Sequence, residues 1–320
     1  MGGKTMVWLE IASILVITGL VLFAVVMVAV GGKFSALGTG KYVSNTHEIR
    51  EDFRNVRLEV DTANIVFALS EDGVCKVVCY EEEKAQHSVT VSDDTLQIKV
   101  QNEKAWYDYI QINFVSPKIT VYLPEAEYLR LAIHADTGDV EIPGDFRFEE
   151  VDVAVSTGDV TCRASAAGQV AIKTSTGHIR VENIQVGALS LTASTGRILV
   201  SGVTCQGDVT LEVDTGKNTL TDLRCNHLTS IGQTGDLIMK NVVAEGNFSI
   251  WRSTGDVTFD ACDAAAIMVE TDTGNVTGSF CSGKNFSASA DTGRVQIPDN
   301  TQGGPCKIQT STGNIKLWIV

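Results

Sequence analysis

From residue 131 to the C-terminus, apolar and polar residues alternate in short runs, and a Thr-Gly dipeptide punctuates the runs ten times. The glycines are Gly138, Gly158, Gly177, Gly196, Gly216, Gly235, Gly255, Gly274, Gly293 and Gly313, and every step between them is 19 or 20 residues. Positions +2 and +4 after the glycine are apolar in nearly every copy, as in Val140/Ile142, Ile179/Val181 and Val257/Phe259. Positions −7 and −5 behave alike, as in Leu131/Ile133 and Leu189/Leu191. Period-two alternation marks half-buried strands. A period near 20 marks a solenoid, in which each unit buries its apolar face on the next. Each unit reads as strand, Thr-Gly corner, strand and looser return. The fold class expected is all-β: a single-stranded β-helix, or β-solenoid, of about ten 19–20-residue coils, preceded by one transmembrane α-helix. Helical repeats are longer and carry 3.6-residue stripes, which are absent here.

The remaining chain divides by pattern. Residues 1–10 form a short tail. Residues 11–30 are an uncharged run of 20, enough to cross a bilayer core, and read as an uncleaved anchor. Residues 31–46 are small and polar, a linker. Residues 47–134 carry strand-like runs at Val56–Val60, Cys75–Tyr80, Leu96–Val100, Ile110–Val115 and Ile119–Leu123, plus an altered corner, Asp61-Thr62-Ala63-Asn64. This part is expected to cap the membrane-proximal end, because an open solenoid end is an unpaired edge. Residues 135–320 are the regular repeats. Leu317, Trp318 and Ile319 then fall on a last coil that nothing follows, which predicts weak self-association through the C-terminal coil.

Composition narrows the function. Thirty-nine acidic against 25 basic residues give a net charge of −14, with the basic residues scattered singly. That excludes a nucleic-acid-binding face. Lys4 before the apolar run, against Lys33, Lys41 and Arg50 after it, leaves orientation finely balanced. The signal-anchor layout predicts an extracytoplasmic solenoid on a single-pass membrane protein.

Asp-Thr-Gly occurs at Asp136, Asp214, Asp272 and Asp291 and matches the triplet of aspartic proteases. Those enzymes need two converging aspartates sharing a proton. Here D-T-G alternates with S-T-G at one corner, so no catalytic residue is assigned, although Asp272 and Asp291 are expected on adjacent rungs. Asp139/Asp159 and Asp236/Asp256 stack as like charges, an arrangement that a cation could relieve; solvated acidic pairs are the simpler reading. His47, His87, His134, His178 and His227 show no ligand spacing. Trp106, Tyr107, Tyr109 and Phe114 read as a hydrophobic plug. Neither a cofactor nor a metal is expected.

There are eight cysteines. Cys205 and Cys225 lie nine residues after their glycines, and Cys262 and Cys281 seven after. Each pair is expected on adjacent coils at a separation a disulfide accepts, and bonding stays open.

The stretches STGDV (156–160 and 253–257), DTGNV (272–276) and STGNI (311–315), behind a membrane span and a strand-rich lead-in, resemble the bacterial "putative adhesin" family of toastrack-type β-solenoids. The resemblance covers roughly residues 47–320. It implies a membrane-tethered β-helix of the bacterial cell envelope, with adhesion and envelope-stress associations and no catalytic residues. Two functions follow: a non-catalytic binding, adhesion or scaffold module with an unidentified protein or surface-polymer partner, or a bactofilin-like element joining through solenoid ends.

Overall fold

A computed structural model describes residues 3–29, 41–102, 116–299 and 302–320. The helix Gly3–Ala29 contains a 20-residue apolar stretch, Glu10–Ala29, of mean hydropathy 2.9, none of it buried. By length and composition it can cross a membrane. Ile110–Val115 and the four plug aromatics lie outside the described residues.

The periodic part is a parallel β-solenoid. The strands ending at Thr137, Thr157, Thr176, Thr195, Thr215, Thr234, Thr254 and Thr273 pair in register, threonine beside threonine. A second ladder begins two residues after each glycine, with Val140, Val160, Ile179, Ile198, Asn218, Leu237, Val257 and Val276 side by side. The alternation in the sequence is therefore the alternation of core and solvent: −7, −5, +2 and +4 point inward and are almost all fully buried. Each such aliphatic side chain contributes about 1.5–3 kcal/mol on burial.

The corners require glycine for a stated reason. Gly216 has φ +151°, and a Cβ on it would fall 1.5 Å from the carbonyl oxygen of Gly196. The backbone of each corner lies against the corner of the next coil, leaving no room for a side chain. Ala63 occupies the same column, and its carbonyl oxygen is what a Cβ on Gly138 would strike. Its own φ is not positive, and beyond it the Asn64 amide donates to the Pro117 carbonyl. An alanine fits because no Thr-Gly corner presses on that side.

A second bend, six residues after the glycine, escapes the sequence pattern. Asn183, Gly202, Asp222, Asn241 and Ala261 all adopt left-handed φ of 50–64°. Asn and Asp tolerate this region. The bend re-aims the chain so that Ile184, Val203, Leu223, Val242 and Cys262 again face the core.

Both ends depart from sequence order. At the N-terminal end, strands Asn55–Thr62 and Asn64–Leu69 stack directly on the coil of Gly138, with Thr62 beside Thr137. Strands Thr95–Asn102 and Lys118–Leu123 then cover the Ala63 coil from outside. Beyond them Cys75–Glu82 runs antiparallel to Lys118–Leu123, and Tyr42–Ile49 antiparallel to Cys75–Glu82. The switch to antiparallel pairing ends the parallel ladder. Tyr42–Thr46, inside the segment expected as linker, is thus a strand, paired residue by residue with the edge of Cys75–Glu82.

At the other end the final coil lies inside the stack. Gly304–Thr312 pairs with Val257–Thr273 on one side and with Lys284–Thr292 on the other. Ile315–Ile319 pairs with Val276–Phe280, and its first residues also with Val295–Gln296. The corner order is therefore Gly274, Gly313, Gly293. This corrects the expectation that nothing follows the C-terminal coil: the outermost rung is Lys284–Gln296, Leu317 is buried, and Trp318 is 44% exposed. Two adjacent glycines fit the threading. A Cβ on Gly304 would lie 1.8 Å from Ala265 O, and one on Gly303 would lie 1.8 Å from Gly283 O.

Candidate functional site

The strand before each corner sends positions −4 and −2 outward. Near the cap these are Glu59/Asp61, His134/Asp136, Ala154/Ser156 and Lys173/Ser175. Small residues on the Ala154 rung between longer neighbours leave a shallow groove of about 580 Å³. Glu59, Asp61 and Asp136 place acid along it, and Lys99, His134 and Lys173 place base. A second depression, of about 510 Å³, opens where the chain enters the coils, between Tyr128, Leu129, Phe148, Glu149, Arg147 and Gln185. Both grooves are open on rigid strands and suit an extended ligand more than an enclosed small molecule.

The D-T-G aspartates lie on the outer face of the corner column. Asp272 and Asp291 are not neighbours as expected: the rung of Ser311 separates them, since Thr312 pairs with both Thr273 and Thr292. Two rungs place them about 10 Å apart, too far to share a proton.

The stacked acids have a structural role. Oδ1 of Asp139 accepts the amide N–H of Asp159 at 2.8 Å, and Oδ1 of Asp159 accepts that of His178 at 2.7 Å. Nδ1 of His178 accepts the Arg197 amide at 3.0 Å. The same relay runs from Asp236 to Asp256, Asn275, Asn314 and Arg294. Each side chain at +1 captures the corner amide of the next rung, and a relay stops where a basic residue offers no acceptor. Like charges are tolerated because each carboxylate is bonded to a peptide dipole.

All eight cysteines are free, including Cys205 and Cys225. Cys281 has left the expected column. A register shift between Phe259 and Cys262 sets Phe280 opposite Cys262, and Cys281 is exposed.

The cap holds a polar cluster that no spacing rule suggested. Cys79 and Glu81 project inward from one strand, and His87 comes from the next strand of the hairpin; all three are buried. One ligand atom from each lies within 4.8 Å of the others. Oε2 of Glu81 lies 2.6 Å from Nδ1 of His87 and accepts the His87 amide at 2.7 Å, while Oε1 accepts Asn45 Nδ2 at 2.7 Å. Among the described residues, Nε2 of His87 is buried without a hydrogen-bond partner. Burial, reinforced by Glu81, pushes the Cys79 thiol up to about 12. The available signal was register: Glu81 continues the inward series Cys75, Val77, Cys79, where a lone carboxylate would be costly.

Two buried cations serve the framework. Lys284 Nζ meets Asp263 Oδ1 at 2.5 Å and Ala264 O at 2.8 Å, anchoring the outermost rung. Arg252 Nη2 donates to Ser230 Oγ at 2.7 Å; its guanidinium occupies the space that Gly232 leaves, and burial lowers its pKa to about 10.

Crystal structures with low sequence similarity span most of the chain. A "putative adhesin" from Bacteroides fragilis is 17% identical, covering 87% of this chain and 97% of its own, with a TM-score of 0.42. Another from Parabacteroides distasonis is 14% identical, covering 88% and 98%, with a TM-score of 0.42. A "putative lipid binding protein" from the same species is 14% identical, covering 87% and 98%, with a TM-score of 0.23. No curated protein matches the chain. The Toastrack model matches residues 53–213 and again 206–320, so the two matches together span the whole solenoid. With its Thr-Gly corners and stacked parallel coils, the chain belongs to the Toastrack DUF4097 family.

Proposed function

We propose that this protein is a membrane-anchored, non-catalytic binding module of the bacterial cell envelope, with adhesion or scaffolding as its work and a link to envelope-stress sensing. The observation that carries the reading is the charged, open groove on rigid strands beside the cap, lined by both acids and bases. The apolar helix supplies the anchor. The adhesin names of the structural neighbours agree with this role. Cells carrying the full chain should adhere to an abiotic or host surface less well when Ala154→Trp and Ser156→Arg fill the groove. Both side chains point outward, so stability should hold. Unchanged adhesion with normal protein levels would remove the groove from the function.

Sidedness can be read from Cys281, the one exposed cysteine of the eight. A membrane-impermeant maleimide should label intact cells, and Cys281→Ser should abolish labelling. Labelling only after lysis would place the solenoid in the cytoplasm.

End-to-end joining is the second reading. Its surface is the outer edge of Lys284–Thr292, which pairs with one strand only, and its partner is a second copy of the chain. Dimers of the detergent-solubilised chain that disappear with Ser289→Pro would support it, and a monomer at all concentrations would end it.

A further inference from the structure

We propose that Cys79, Glu81 and His87 form a site for a zinc-class divalent cation in the solenoid cap. The donor set is one thiol, one imidazole and one carboxylate, gathered within 4.8 Å. Sulfur and nitrogen donors select zinc and its neighbours; calcium and magnesium take oxygen. The cation class therefore follows from the chemistry of the side chains.

Three further features support the site. All three residues are buried, so a cation there would be shielded from bulk water and held by rigid strands. His87 Nδ1 and Glu81 Oε2 already face each other at 2.6 Å, so a cation held by both would take the place of the proton between them. Glu81 is already oriented by Asn45 and by the His87 amide, the kind of outer support that fixes a ligand's direction. On binding, the Cys79 thiol would release its proton to solvent and the thiolate would bond the metal. Three protein ligands leave a fourth position for water.

The competing account is a buried Glu–His pair beside an inert thiol, which would bind no cation. The two differ in one spectrum. The full-length chain, stripped of metal in detergent, is titrated with Co²⁺. The site predicts about one cobalt per chain, a thiolate-to-cobalt charge-transfer band and displacement by Zn²⁺. Cys79→Ser should abolish the band, His87→Gln should weaken affinity about tenfold or more, and Cys225→Ser should leave both unchanged. Should Cys79→Ser fail to fold by circular dichroism, zinc X-ray absorption of the wild-type chain decides: a sulfur in the first shell supports the site. No stoichiometric band, a band that survives Cys79→Ser, or a shell without sulfur would overturn it. Adhesion through the groove does not depend on this result, so either reading can fail alone.

Discussion

The middle of the solenoid and its two ends are built from the same coil and obey different rules. Between Gly138 and Gly274, chain order is rung order, and each corner rests on the one before it. At the ends it is not. The coil of Ala63 is overlaid by strands that follow it in sequence, and the coil of Gly313 lies between those of Gly274 and Gly293. A repeating stack solves burial along its length and leaves an open face at each end. Here an antiparallel sheet covers one face, while at the other the inserted coil is buried and the rung Lys284–Gln296 keeps the open edge.

The sharpest way to break this comparison is to remove the inserted coil. Deleting residues 304–320 takes away Cys306, Ile308, Ile315 and Leu317 from the core and leaves Lys284–Gln296 without a strand partner. The loss should be on the order of 5 kcal/mol or more, from lost burial alone. Hydrogen exchange should show residues 284–296 unprotected, whereas a simple terminal coil would leave them unaffected. Retained protection there would mean that the rung order is sequential.

A smaller effect separates the corners. Gly216→Val sets a β-branched side chain against the Gly196 carbonyl and should cost about 4 kcal/mol, at the severe end for single substitutions. Ala63→Gly, at the end of the same column, should cost only about 1 kcal/mol. Urea midpoints of the two variants should differ accordingly; equal midpoints would show that the Gly216 corner is no more constrained than the Ala63 one.

The smallest effect tests the relay of side chains on backbone amides. Asp159→Ala removes the acceptor of the His178 amide and should cost about 1 kcal/mol. Arg294→Ala, on the outermost rung with no amide beyond it to capture, should stay within about 0.5 kcal/mol. Chemical denaturation with an unchanged m-value measures both, and equal costs would show that the relay adds nothing.

The inward columns were legible in the sequence because a two-residue alternation leaves little freedom: once Gly138 is a corner, Val140 and Ile142 face the core. Rung order was not legible. The inward residues are mostly Val, Ile and Leu, so most coils are similar enough that exchanging neighbours changes the stacking energy little. One cue existed in the +1 column. With Arg294 between Asn275 and Asn314, the Asn314 amide would lose its acceptor; as the last residue of the relay, Arg294 costs nothing. The bend at +6 stayed hidden because Asn, Gly, Asp and Ala share a left-handed backbone but no common side chain. Cys281 was misplaced because a local register shift is invisible to a fixed period. The cap cluster stayed hidden because Glu81 and His87 meet across a hairpin, where sequence spacing carries no ligand signature.

The buried position of the last coil also determines how the molecule bears load. A terminal strand at a sheet edge peels away bond by bond when its end is pulled. Ile315–Ile319 is held along its length by Val276–Phe280 and at its start by Val295–Gln296, with the Val320 amide also bonded to Phe280 O. Tension along these parallel strands is resisted by many bonds at once, in shear, and the rupture rate rather than the equilibrium stability sets how long they hold. A ligand gripped near this end would pull against the interior of the stack.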